Sequence, residues 1–136
     1  MNITGRHDER GFTLIELIVV IVILGILSAV VIPVYQDMRK EAASGVAQGL
    51  LGSARGAATI NFSRNLVAAG TTSPITADLA GATALAALIQ SDYTPTVGAA
   101  TIQYTIGTYP VTLTITAAED TTAPGVAPAT ITLTGP

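Results

Sequence analysis

The sequence contains no cysteine, no tryptophan and a single histidine, His7. The lack of cysteine excludes a disulfide framework and any thiolate metal site. With one histidine and no cysteine, one copy of the chain is not expected to assemble a multi-histidine zinc site or a histidine-centred catalytic triad. We therefore expect neither an enzyme nor a resident metal or other cofactor.

Charged residues are also scarce. They make up 11% of the chain, and the formal net charge of -3 is spread thinly. No cluster of lysine and arginine is present that would release counterions from nucleic-acid phosphates, so we expect no nucleic-acid site. By contrast, 49% of the residues are hydrophobic and the mean hydropathy is +0.57, which is high for an ordinary soluble domain.

One segment accounts for this apolar excess. After a polar stretch that ends at Gly11, the chain from Phe12 to Val34 reads FTLIELIVVIVILGILSAVVIPV. As a helix with a rise of about 1.5 Å per residue, it would reach roughly 35 Å and match the ~30 Å hydrocarbon core of a bilayer. Its many β-branched residues would favour a strand, but an isolated strand in lipid leaves its backbone groups unpaired. We predict a leader at 1–11 and an apolar transmembrane helix at 12–34.

Two residues weaken this helix. A glycine such as Gly25 costs about 1 kcal/mol relative to alanine inside a helix. Pro33 has no N–H group, so the carbonyl of Ala29 loses its usual helical partner. We therefore predict local melting of the helix between Gly25 and Pro33.

The helix is predicted to continue over 35–69 as an amphipathic rod that ends near Gly70. Small residues are frequent in this part and would allow other helices to approach closely. Residues spaced by three or four positions form its predicted apolar face, which we expect to cover a sheet: Tyr35, Met38, Ala42, Val46, Leu50, Ala57 and Ile60.

The remaining part, 70–136, is predicted to be a globular head. A short helix fits about 76–90, with Thr76 as its N-cap. Hydrophobic residues then alternate with polar ones, all threonine except Gln103, at 101–106, 111–117 and 130–134, which predicts three or four antiparallel strands within about 100–134. The fold class is therefore α+β: a long N-terminal helix packed against a small antiparallel sheet.

Glu16 is the only charged residue between Phe12 and Val34. A carboxylate within an apolar helix needs a partner. If the chain is cut at the Gly11–Phe12 bond, the new α-amino group of Phe12 supplies a positive charge one helical turn away, in the same copy or in a neighbour. The alternative is that Glu16 merely lies at the lipid headgroup boundary. Conventional signal cleavage fits poorly, because the best site, at 27–29, begins with leucine.

From Gly11 to Pro33 the sequence resembles the type IV pilin family, which includes the pseudopilins of type II secretion systems. The resemblance implies that Gly11 is recognised by a prepilin peptidase, and that Phe12 becomes the N-methylated N-terminus. It implies that Glu16 is needed for subunit assembly, and that the stretch from Gly25 to Pro33 unwinds during assembly. It also implies the pilin fold, with the long helix in the core of a filament.

The implied function is that of a non-enzymatic structural subunit of a type IV pilus, which polymerises through its N-terminal helix after leader removal. The implied partners are further copies of the chain, prepilin peptidase, the inner-membrane assembly platform and other pilins. The precursor would lie in the inner membrane and the assembled filament outside the cell, where such filaments serve adhesion, motility or DNA uptake. The alternatives are a pseudopilin of a secretion or competence system and, more distantly, a monomeric membrane-anchored binding domain or enzyme.

The sequence departs from this family in two respects. Many pilins close a C-terminal loop with a disulfide, which a chain without cysteine cannot form. Major pseudopilins carry a calcium-binding C-terminal region, whereas the only acidic residues after position 90 are Asp92, Glu119 and Asp120. Three acids are too few to predict a calcium site, which favours a pilin over a pseudopilin.

Overall fold

The structure is a computed structural model that describes residues 11–68, 74–120 and 127–136. The predicted α+β class is confirmed, because a long N-terminal helix precedes a small antiparallel sheet. The described residues up to Met38 form one compact unit, and the described residues from Arg39 onward form a second. The elements are α1 (Leu14–Val67), α2 (Leu79–Leu88), β1 (Thr96–Gly98), β2 (Thr101–Ile106), β3 (Tyr109–Ala117) and β4 (Thr130–Thr134).

The first unit contains the apolar part of α1. Its most apolar window of 18 residues has a mean hydropathy of 3.2, and no residue of that window is buried. In the described part of the chain, α1 is the one helix that is long and apolar enough to cross a membrane. The helix begins at Leu14 rather than at Phe12, and it continues without interruption through Pro33.

The second unit contains a four-stranded antiparallel sheet in the order β1-β2-β3-β4. β1 lies before the predicted range, and its three residues are too few to display a period-two pattern. The register pairs apolar residues across the strands, as in Ile102 with Leu113 and Ile115 with Ile131, while threonines pair on the other face. The sheet therefore has one apolar face, which is buried, and one neutral threonine face.

Alanines of α1 pack against this sheet. The buried residues of α1 recur every three or four positions: Ala43, Ala47, Leu50, Ala54, Ala58, Asn61 and Asn65. The five apolar ones form one hydrophobic core with α2 and the sheet. The helix face that was predicted to cover the sheet is mostly wrong. Of its residues, Leu50 is buried and Ala57 is partly buried, whereas Ala42, Val46 and Ile60 are exposed. Since the sheet supplies bulky side chains such as Tyr104 and Ile131, the helix face that packs on it carries small ones.

The helix α2 begins three residues after the predicted cap. Asp78, not Thr76, is the N-cap: its Oδ1 atom accepts hydrogen bonds from the backbone N–H of Gly81 at 2.9 Å and from the hydroxyl of Thr76 at 2.6 Å. These two bonds lower the pKa of Asp78. A Cβ atom on Gly81 would lie 1.9 Å from the carbonyl oxygen of Thr76, so this close approach requires glycine. The predicted helix end at Gly70 lies outside the described residues.

A polar cluster around Glu119 joins three parts of the second unit. Its carboxylate accepts hydrogen bonds from the side-chain amide of Asn61 at 3.2 Å, from that of Asn65, and from the backbone N–H of Ile75 at 3.3 Å. The backbone N–H of Glu119 donates to the carbonyl of Ile75 at 2.8 Å. The cluster thus links the end of α1 to the segment before α2 and to the chain after β3, in a protein without disulfides.

Candidate functional site

The candidate site lies where α1 begins. Gly11, Phe12 and Thr13 precede the helix and are exposed, and 86% of the surface of Phe12 is accessible. Apart from Gly11 itself and its chain neighbours, no atom of the described residues lies within 4 Å of the position that a Cβ atom of Gly11 would take. The Gly11–Phe12 bond therefore lies in accessible, non-helical chain, which a peptidase requires of its substrate.

Thr13 and Glu16 form a capping box. The Oε2 atom of Glu16 accepts hydrogen bonds from the backbone N–H of Thr13 at 2.9 Å and from its hydroxyl at 2.8 Å, while the Thr13 hydroxyl oxygen accepts from the N–H of Glu16 at 3.3 Å. The spacing T-x-x-E is the sequence signal for this arrangement, and our sequence analysis missed it. The Glu16 carboxylate thus has a partner within its own helix end.

Only one of the two carboxylate oxygens of Glu16 is used in this way. Both bonds from Thr13 end on Oε2, and within the described residues Oε1 has no hydrogen-bond partner. Phe12 and Glu16 line the same shallow concavity of about 400 Å³, whose other walls are Ile15, Val19 and Val20. The structure therefore brings the two predicted assembly residues together in an apolar setting, with one carboxylate oxygen available to a further donor.

The predicted melting residues lie farther along the same helix. Gly25 and Pro33 are both within α1, and the hydroxyl of Ser28 donates to the carbonyl of Gly25 at 2.9 Å. Hydrogen bonds from serine to a preceding helical carbonyl slightly destabilise and often bend a helix. Pro33 weakens the helix further, because it has no N–H group to donate to the preceding turn. The helix is intact here in the structure, so its melting during assembly stays a prediction.

The apolar side chains of this unit lie on all sides of the helix and are open to the surroundings. Even the most covered of the large ones, Ile18, is 41% exposed, and Leu24 and Ile26 are 59% and 65% exposed. A contiguous apolar surface of this extent on a water-soluble monomer would promote association. The segment therefore needs lipid or other protein around it.

Comparison with known proteins finds similarity concentrated at this site. Residues 6–32 match the family model described as the prokaryotic N-terminal methylation motif, a range that includes Gly11, Phe12 and Glu16. The chain is 41% identical over 58 residues to the fimbrial protein EcpC of Eikenella corrodens. This aligned stretch covers 43% of the chain and 38% of EcpC.

Two further relatives share the N-terminal part. The type IV major fimbrial protein FimA of Dichelobacter nodosus is 55% identical over 40 residues, covering 28% of the chain and 25% of FimA. The type IV major alpha-pilin of Moraxella bovis is 58% identical over 31 residues, covering 23% of the chain and 20% of that pilin. The chain thus spans less than two fifths of the length of these relatives, and no solved structure matches it. The methylation motif and the fimbrial relatives thus agree with the resemblance of the N-terminal part of the chain to the type IV pilin family.

Proposed function

We propose that this protein is a structural subunit of a type IV pilus and polymerises through α1 after its leader is removed. The observation that carries the proposal is an apolar helix exposed on all sides with one acidic residue, Glu16, at its start. Such a helix is stable in lipid before assembly and equally stable among identical helices afterwards. Lateral packing of these helices supplies most of the cohesion of the filament.

Glu16 sets the stagger between neighbouring subunits. Cleavage after Gly11 makes the α-amino group of Phe12 a cation. The α-amino group of Phe12 in a neighbouring subunit can then reach the unused Oε1 atom of Glu16. In a setting of low dielectric constant, this ion pair stabilises the one axial offset between subunits at which the two charges meet. At other offsets the charges are unpaired, which is unfavourable. The capping box holds the carboxylate in place for this contact, because Oε2 remains bound to Thr13.

The second half of α1 supports the same proposal. Its outer face, opposite the buried alanines, carries Gly45, Gly49, Gly52 and Gly56 at spacings of four, three and four residues. Beyond the neighbouring turns of α1, no atom of the described residues lies within 4 Å of where a Cβ of any of these glycines would stand. Glycine weakens a helix, and nothing in one copy requires it here. Small residues on this face let helices of other subunits approach closely.

The proposed life cycle follows from these properties. The precursor is held in the inner membrane by residues 12–34, prepilin peptidase cuts after Gly11, and Phe12 is N-methylated. The assembly platform then extracts the subunit into a surface filament together with other copies, and the stretch from Gly25 to Pro33 melts as the helix leaves the membrane. The subunit performs no chemistry of its own. The relatives are named as fimbrial proteins and pilins, which supports a pilus subunit over a secretion pseudopilin.

The test is the substitution Glu16→Ala, with Asp37→Ala as a matched control that removes an acid outside the apolar segment. We expect Glu16→Ala to leave membrane insertion intact and to abolish filaments or give misregistered ones, as judged by membrane fractionation and electron microscopy of sheared surface material. The control should yield filaments normally. Normal filament yield from Glu16→Ala would rule out the charge-pair mechanism.

A further inference from the structure

A groove of about 690 Å³ lies beside α1 in the second unit. Val46, Gly49, Leu50 and Ser53 of α1 form one side, and residues 89–93, which follow α2, form the other. Asp92 is the only charged residue among those that line the groove, and it is exposed. Within the described parts of the chain, its carboxylate has neither a hydrogen-bond partner nor an ion-pair partner. The groove therefore presents one unpaired negative charge.

The described part of the chain has four cations outside the N-terminal segment, and three of them have a local role. Arg55 donates two hydrogen bonds to the carbonyl of Ile131, at 3.2 and 3.4 Å. Arg64 lies in the last turn of α1, where a positive charge is favourable beside the free helical carbonyls. Arg39 has interactions of its own. Lys40 is exposed, and its ammonium group has no partner among the described residues.

We infer that this groove receives a second copy of the chain, whose Lys40 pairs with Asp92. The inference rests on the proposed filament function and names one contact within that filament. Lys40 lies one turn before Ala43, the first α1 residue that packs into the core, whereas Asp92 lies beside residues 46–53 of the same helix. The two charges thus belong to different patches of one copy, and a contact between different patches is heterologous.

A heterologous contact matches what a filament requires. Because each copy offers both patches, the contact repeats from copy to copy and generates an open helical polymer when the rotation does not close. Ten residues of helix separate Lys40 from Leu50, so the contact corresponds to an axial displacement of about 15 Å between the two copies. Gly49 lines the groove and has open space beside it, so the backbone of another copy can approach closely there.

The absence of cysteine makes this contact directly testable. Filaments of the full chain carrying Lys40→Cys and Asp92→Cys are treated with a short bismaleimide linker, dissociated and separated on a denaturing gel. We expect a ladder of dimers, trimers and longer oligomers, because the contact joins each copy to the next. Filaments carrying Asp92→Cys alone, or Arg64→Cys with Asp92→Cys, should give monomers. Filaments of the Lys40 and Asp92 pair that yield only monomers, or no more ladder than the Arg64 control, would overturn the inference.

Charge exchange tests the contact without cysteine. Lys40→Glu and Asp92→Lys should each lower filament yield roughly tenfold, because each brings like charges together at an interface. The two substitutions combined should restore most of the yield. A double variant as defective as the single variants, or single variants with normal yield, would contradict the contact while leaving the pilus function intact. Failure of the unmodified chain to form filaments would instead reject the proposed function itself and, with it, this contact.

Discussion

Thr13 and Glu16 hold each other at the first turn of α1, with the Thr13 hydroxyl 2.8 Å from the Oε2 atom of Glu16 and the Glu16 N–H 3.3 Å from that hydroxyl. This reciprocal pair supplies hydrogen bonds that a helix N-terminus otherwise lacks. It also keeps the carboxylate at a fixed position before any neighbour arrives. We therefore infer that Thr13 positions Glu16 for the proposed contact between subunits.

Replacing Thr13 with valine removes the hydroxyl and retains the side-chain shape. We expect the first turn to fray, since loss of an N-cap costs about 1 kcal/mol, and the backbone N–H of Glu16 to exchange with solvent about fivefold faster. Amide exchange measured by NMR on the chain in detergent micelles tests this. Thr13→Ser keeps the hydroxyl and should behave like the unmodified chain. Equal exchange rates in all three proteins would show that the capping box contributes nothing.

The Glu119 cluster should stabilise the second unit. In Glu119→Ala, the buried amides of Asn61 and Asn65 and the N–H of Ile75 lose their acceptor, and we expect the free energy of unfolding to fall by about 2–3 kcal/mol. Denaturant unfolding of the full chain in micelles, followed by circular dichroism, measures this. Glu41→Ala removes an exposed acid and should change the value by less than about 0.5 kcal/mol. A loss of similar size in both variants would refute the cluster's role.

Gly81 and Gly52 should respond in opposite ways to substitution by alanine. Gly81→Ala forces a Cβ atom against the Thr76 backbone, so we expect a loss of about 2 kcal/mol or more. Gly52 is exposed in the middle of α1 and has open space around it, so Gly52→Ala should raise the free energy of unfolding by about 1 kcal/mol. The same unfolding measurement compares the two. If Gly81→Ala proves as stable as Gly52→Ala, α2 does not approach Thr76 as closely as described.

Tyr104 is buried, and its hydroxyl has no hydrogen-bond partner in the described residues. Burial raises the pKa of this hydroxyl above 10.0, because the tyrosinate anion is poorly solvated there. The unfolded chain loses this proton at lower pH than the folded chain does, so stability falls as the pH rises past 10.0. Tyr104→Phe should therefore be about as stable as the unmodified chain at neutral pH, or up to about 1 kcal/mol more stable.

Unfolding measured at several pH values checks the alkaline effect. The Phe variant should lose less stability than the unmodified chain on the alkaline side of 10.0. Tyr93→Phe is the matched control, since Tyr93 is only partly buried. Identical pH profiles for the unmodified chain and Tyr104→Phe would contradict the burial of an unpartnered hydroxyl.

Local patterns in the sequence predict much of this fold. The apolar run from Phe12 and the alternation of apolar residues with threonine both repeat within a few positions, so they predict a helix and strands without knowledge of tertiary contacts. The T-x-x-E pattern at the helix start was also present in the sequence, but the α-amino group of Phe12 was taken as the partner of Glu16 and Thr13 was not considered.

Features set by tertiary contact could not be predicted in this way. Alanine is only weakly hydrophobic and fits either face of a helix, so Ala47 and Ala54 gave no sign that they, rather than Val46 and Ile60, face the sheet. Glu119 binds Asn65 and Asn61, which lie 54 and 58 positions away in the chain, and no local pattern reports a contact at that separation. Both features depend on how the head closes around α1.

We propose that α1, freed of residues 1–11, is the polymerising element of a surface filament. Mass analysis of the N-terminus of subunits from sheared surface filaments, identified by electron microscopy, tests it most directly. We predict filaments whose subunits begin at N-methylated Phe12. Purified filaments whose subunits still begin at Met1 would contradict the account.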